Sequence, residues 1–130
     1  MNKKKAATLF FFLSFNIIAS AQTPGCLSVH EGTFRLTDKG SGTTIITRTK
    51  DLQVEDNAEM GVKMTFDLVW IDDCSYELRP KEVIKGDPAL MGNKGDVLKV
   101  RIQQVNKRSY RVVTTANFAD FELEREIEIL

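Results

Sequence analysis

The sequence predicts an all-β chain: about eight short antiparallel strands in an up-and-down meander, curled into a small barrel or half-barrel, with a two-sheet sandwich as the alternative. Three observations carry this. Apolar residues recur with period two, most plainly at Val62, Met64, Phe66, Leu68 and Trp70, with Lys63, Thr65, Asp67 and Val69 on the opposite face. Turn-forming residues punctuate the chain at short, fairly regular intervals. After residue 21 no stretch shows a helical period.

Residues 1–21 read as a secretory signal peptide and residues 22–130 as a single β domain. Lys3-Lys4-Lys5 give the basic start, Ala6 to Ala19 the apolar run around Phe10-Phe11-Phe12-Leu13, and Ala19-Ser20-Ala21 the small residues of a cleavage site. The run falls short of the roughly 20 apolar residues that span a bilayer, so no transmembrane segment is expected in the mature chain. The reading is an exported protein of the bacterial envelope, periplasmic or extracellular.

The elements follow in order. Gly32 to Asp38 leads into the turn Lys39-Gly40-Ser41-Gly42. Thr43 to Thr49 is largely β-branched and reads as strand, broken by Lys50-Asp51. Leu52 to Met60 begins another segment, with a bend at Asp56-Asn57. The alternating run ending at Trp70 is the core strand; Asp72-Asp73 turns it back into Cys74 to Ile84. Lys85 to Gly95 is the longest loop, with Leu90-Met91 in an apolar tip expected to fold over the barrel end. Asp96 to Val105 and Ser109 to Thr115 flank the turn Asn106-Lys107-Arg108. In the last strand Phe121, Leu123, Ile127 and Ile129 oppose Glu122, Glu124, Glu126 and Glu128, so pattern outweighs the helical preference of glutamate.

Composition excludes some functions. The whole chain has 18 basic and 18 acidic residues; without Lys3, Lys4 and Lys5 the balance is 15 against 18, a net −3. Such a surface argues against nucleic acid as a partner. Cys26 and Cys74, an even pair in an exported chain, read first as a disulfide. Lipidation of Cys26 and free or metal-bound thiols are the alternatives. Against lipidation, Thr23-Pro24-Gly25 lacks the aliphatic residue of a lipoprotein signal; against a zinc site, one cysteine pair without nearby histidines cannot complete the shell.

No catalytic constellation is visible, so no enzyme, metal or cofactor is expected. His30, the single histidine, has no nucleophile or carboxylate arranged with it and reads as solvated. Asp72-Asp73, with Asp67 and Glu77, matches no calcium loop and suits a strand-end turn; Asp87, Asn93 and Asp96 read likewise as loop residues. Arg48 and Glu55 flank the turn at Lys50-Asp51 so that they can pair across a hairpin, or else anchor a ligand in a barrel mouth. The possible ligand-binding set is Phe34, Arg48, Glu55, Met64, Phe66, Leu68, Trp70 and Tyr76, and the same residues would make a solid core in a filled barrel.

The ordered pattern Cys26-x5-Gly32-Thr33-Phe34, Thr44-x-Ile46-x-Arg48, Gln53-x-Glu55 and Trp70-Ile71-Asp72-Asp73-Cys74-Ser75-Tyr76 resembles a group of small exported bacterial proteins without an established activity. The resemblance covers most of the mature chain and implies that Cys26 and Cys74 belong together. Gly32-Thr33-Phe34 also bears a weaker likeness to the Gly-x-Trp that opens lipocalin and other calycin barrels, a fold-level analogy that carries no function. The expected role is a structural or interaction module with a protein partner; the alternative is a carrier of a small apolar or amphipathic ligand.

Overall fold

The structure is a computed structural model that describes residues 25–130 and Ser14. Apart from Ser14, the expected signal peptide lies outside the described residues. Eight antiparallel strands, β1 (Gly32–Asp38), β2 (Gly42–Arg48), β3 (Leu52–Asn57), β4 (Val62–Asp72), β5 (Ser75–Lys85), β6 (Leu98–Val105), β7 (Ser109–Ala116) and β8 (Leu123–Ile129), form a closed barrel in meander order. The all-β meander expected from the sequence is present, and closure is the outcome rather than a sandwich. Pairing β8 back to β1, over Phe34↔Ile129 and Arg35↔Glu128, closes the sheet on itself.

Strand parity gives the barrel two distinct ends. The connections 39–41, 58–61, 86–97 and 117–122 gather at one, the mouth. The connections 49–51, 73–74 and 106–108 gather at the other, the floor. Side chains alternate across each wall. Phe34, Ile46, Met64, Phe66, Leu68, Tyr76, Leu78, Val100, Ile102, Tyr110, Val112 and Ile127 are buried in one core. The glutamates of β8 face outward, where Glu128 meets Arg35 at 3.2 Å and Glu124 meets Arg111 at 3.4 Å.

A 3₁₀ turn, Cys26–Val29, plugs the floor, and Val29 is wholly buried there. Cys26 and Cys74 form a disulfide that ties this plug to the β4–β5 turn; neither lipidation nor thiol chemistry applies to them. The turn itself is held by Asp72, whose Oδ1 accepts from the Cys74 backbone N–H at 2.9 Å, as the paired aspartates suggested. Gly32 enters β1 at φ +139°, and a Cβ there would meet the Phe34 ring at 3.2 Å. Glycine therefore precedes Phe34 because the chain must turn tightly over that ring.

His30 departs from the expectation of a solvated side chain. Its ring stacks on Trp70, with centroids 3.4 Å apart, and its Nε2 lies 2.8 Å from the Asp73 carbonyl oxygen. A carbonyl only accepts, so Nε2 carries the proton. The disulfide brings the two segments together, and the stack covers the floor from outside.

The barrel is not equally knit around its circumference. β1 and β8 share only the pairs Phe34↔Ile129 and Arg35↔Glu128, plus the bond from the Leu130 N–H to the Thr33 carbonyl at 3.0 Å. Toward the mouth this seam is spanned instead by a half-buried ion pair, Arg125 to Asp38 at 3.0 Å. The Asp38 carboxyl is held below its ordinary pKa, chiefly by the Gly40 N–H, with Arg125 adding to the effect.

Candidate functional site

The site is built on an anomaly of β3. β3 departs furthest from an apolar inward face: it turns Gln53, Glu55 and Asn57 inward and leaves Leu52 and Val54 toward the outside. The short turn at Lys50-Asp51 imposes this register by pairing Arg48 with Gln53 and Ile46 with Glu55. A polar stripe in a barrel interior is costly unless each group finds a partner.

Gln53 belongs to the floor. Its Oε1 accepts from the Nε–H of Arg48 at 2.9 Å. Arg48, the last residue of β2 and only 2% exposed, also donates to the Val29 carbonyl at 2.6 Å and to the hydroxyls of Tyr76 and Tyr110 at 3.0 and 3.1 Å. Its guanidinium lies 4.9 Å from the Phe34 ring centroid and 4.8 Å from that of Tyr76. Starts of odd strands and ends of even strands meet at the floor, so one side chain from β2 reaches β1, β3, β5, β7 and the plug. Burial raises the pKa of both phenols, against the pull of Arg48, and keeps them as neutral hydrogen-bonding groups.

Asn57 belongs to the mouth. Its Nδ2 donates to the Ser41 carbonyl at 2.7 Å and to Thr44 Oγ1 at 3.2 Å, while its Oδ1 accepts from the Met60 N–H at 3.1 Å. One amide thereby fastens the β1–β2 turn to the β3–β4 turn.

Glu55 lies between them and has neither a hydrogen bond nor an ion pair among the described residues. The expected pairing with Arg48 does not form. The two side chains share the inward face but sit one cross-strand step apart, and Arg48 spends its donors on the floor. Burial pushes the Glu55 carboxyl up to about 7, with Arg48 pulling weakly the other way.

The carboxyl faces open space. One chamber of about 200 Å³ lies in the barrel above the floor, walled by Ile46, Leu78, Val100, Val112 and Ile127 and reached by Glu55 and Tyr76. A second of about 200 Å³ lies toward the mouth, between Met64, Val62, Met60 and Leu90. Both are lined by Ser41, Thr44 and Glu55, so the carboxyl stands where they adjoin. Together they reach the lower part of the range of roughly 300–1,000 Å³ typical of small-molecule sites. The first chamber also borders the seam, through Leu36, Asp38, Leu123, Arg125 and Ile127.

The ligand-binding set read from the sequence therefore divides. Glu55, Met64 and Tyr76 line the chambers. Phe34, Arg48, Phe66, Leu68 and Trp70 line neither: the first four are buried in the core or floor, and half-buried Trp70 packs between His30 and Tyr76. Leu90 does fold back over the mouth, as expected of the loop tip. Sequence reading missed the chamber wall on β6, β7 and β8 and the floor partners Val29 and Tyr110. Their role depends on barrel closure, which no local spacing announces.

A part-buried carboxyl with no partner among the described residues has a cost that can be measured. Its raised pKa means the folded protein holds the Glu55 proton more tightly than the unfolded chain does. The stability is then complete below about pH 4.5 and declines as pH rises through about 7. The shift corresponds to a loss of at most about 3 kcal/mol between pH 4 and 8. Glu55→Gln is expected to flatten that dependence and to be the more stable protein at pH 8. Urea unfolding of both proteins at pH 5 and pH 8 tests this; parallel pH profiles would refute it.

No family model, curated protein or solved structure matches this chain.

Proposed function

We propose that this chain is an exported carrier whose barrel takes one small apolar or amphipathic molecule into the chambers above the Arg48 floor. The single observation that carries the reading is the interior space itself. A filled barrel of the same topology would put large side chains where Val100, Val112 and Thr114 border the chamber. The signal peptide read from the sequence and the Cys26–Cys74 disulfide support an oxidising compartment outside the cytoplasm. Among the described residues no helix is long and apolar enough to cross a membrane.

Two routes lead to the chamber: the mouth, and the weakly paired upper seam between β1 and β8. Opening the upper seam breaks one half-buried ion pair and leaves the Phe34↔Ile129 and Arg35↔Glu128 pairs in place. A second reading, docking of a protein partner, rests on the exposed apolar residues of the mouth connections, Met60, Leu90, Phe118 and Phe121.

The test uses 1-hexanol, followed by methyl chemical shifts of Leu78, Val100 and Val112. Saturable binding near a Kd of about 1 mM, worth about 4 kcal/mol, is expected and is modest for seven heavy atoms. Val112→Phe fills the chamber and is expected to abolish it while leaving the protein folded. No saturable shift in the unsubstituted protein would overturn the carrier reading and leave the mouth-docking reading in its place.

A further inference from the structure

We infer that the ligand of this barrel is a small aliphatic amine, whose ammonium group pairs with Glu55 while its hydrocarbon part occupies the apolar chambers. The inference rests on the carrier reading and deepens it by naming the ligand class.

It begins from the accounting of the β3 stripe. Three polar side chains face inward there, and two are explained by the fold: Gln53 completes the floor around Arg48, and Asn57 ties the turns at the mouth. Glu55 does neither. It stands between Ile46 and Met64 in register, at the junction of both chambers, with no partner among the described residues. A carboxyl in that position is an acceptor awaiting a donor, and a cation satisfies it most strongly because the part-buried surroundings are mainly apolar.

The other charged and titratable groups around the chamber favour an amine over an acid. Arg48 on β2 is the nearest cation, but its Nε and both terminal nitrogens already donate to Val29, Gln53, Tyr76 and Tyr110. Tyr76 on β5 and Tyr110 on β7 are neutral phenols engaged with it. Asp38 on β1 and Arg125 on β8 pair with each other at the seam. Met64 on β4 and Val100 on β6 bring no charge. A fatty acid would therefore set its carboxylate beside Glu55 with no free cation to receive it. An alkyl ammonium finds an anion and, close by, the hydroxyl of Thr44.

Three ligands with the same six-carbon chain separate the possibilities: hexylamine, hexanol and hexanoate, titrated into the mature protein at pH 5 and pH 8. At pH 8 hexylamine is expected to bind about ten- to a hundredfold tighter than hexanol, and hexanoate weaker than either. At pH 5 Glu55 is protonated, and the amine advantage is expected to vanish while hexanol affinity stays constant. Glu55→Gln is expected to keep hexanol binding and lose the preference at both pH values. Hexanol binding with no preference for the amine at pH 8, or a preference that survives in Glu55→Gln, overturns the amine inference and leaves the carrier reading standing. Absence of saturable binding by all three overturns both.

Discussion

Replacing Arg48 with alanine is expected to lower the unfolding free energy by about 4 kcal/mol, a large part of the 5–15 kcal/mol that holds a domain of this size together. The side chain is 2% exposed, so its removal leaves a cavity, and cavities of that class cost about 2–5 kcal/mol. It also strands buried acceptors that it now satisfies: the Val29 carbonyl, Gln53 Oε1 and the oxygens of Tyr76 and Tyr110. The phenols can rotate and donate elsewhere, but the Val29 carbonyl cannot, and an unsatisfied buried acceptor costs about 1–3 kcal/mol. Arg48→Met separates the two effects. It keeps most of the volume and the contact with the Phe34 and Tyr76 rings while removing every hydrogen bond, so it should fall between the original and alanine. Urea denaturation of the three proteins measures this. A loss below about 1 kcal/mol for alanine would mean that the floor closes without its arginine.

What sequence reading could and could not see follows from the range of the interactions. The strands were legible because alternation is local: Val62 to Trp70 shows its inward face without any knowledge of its neighbours, and β4 runs over Val62–Asp72. The disulfide was legible because an even cysteine count in a chain that reads as exported points to one. Arg48 stood out as a polar residue at a strand end, but its partners come from Val29, Gln53, Tyr76 and Tyr110, of which only Gln53 is near in sequence. The floor exists only when β8 closes on β1, so Tyr110 gave no signal of its own. His30 was readable in principle. It lies four residues after Cys26, and Trp70 four before Cys74, so the disulfide alone brings the two rings near each other. Glu55 misled because a carboxylate near an arginine suggests an ion pair. The better signal was the strand it belongs to: Gln53, Glu55 and Asn57 alternate with Leu52 and Val54, and the register inherited from Arg48 turns the polar set inward. A strand that buries its polar face conflicts with the rest of the pattern, and such conflicts concentrate at functional sites.

The second large effect is expected from Cys74→Ser. The disulfide closes a loop with a sequence separation of 48, and opening it should cost about 4 kcal/mol on the chain-entropy account. The fold adds a local consequence. Cys26 begins the 3₁₀ plug, so the bond also holds Val29 over Arg48 and His30 against Trp70. If release of the plug accompanies loss of the bond, the floor loses the Val29 carbonyl as an acceptor, and part of the Arg48 contribution disappears with it. The effects of Cys74→Ser and Arg48→Met should therefore be less than additive, with a coupling of about 0.5–3 kcal/mol in a double-mutant cycle. Trp70 is the single tryptophan, so its fluorescence reports the same event: Cys74→Ser should shift its emission as the His30 ring leaves its face. Additive energies with an unchanged Trp70 spectrum would mean that the plug stays seated without the disulfide. The stacked ring, its Nε2 bond to the Asp73 carbonyl and the burial of Val29 would then suffice to hold it, and the disulfide would act on the unfolded chain alone.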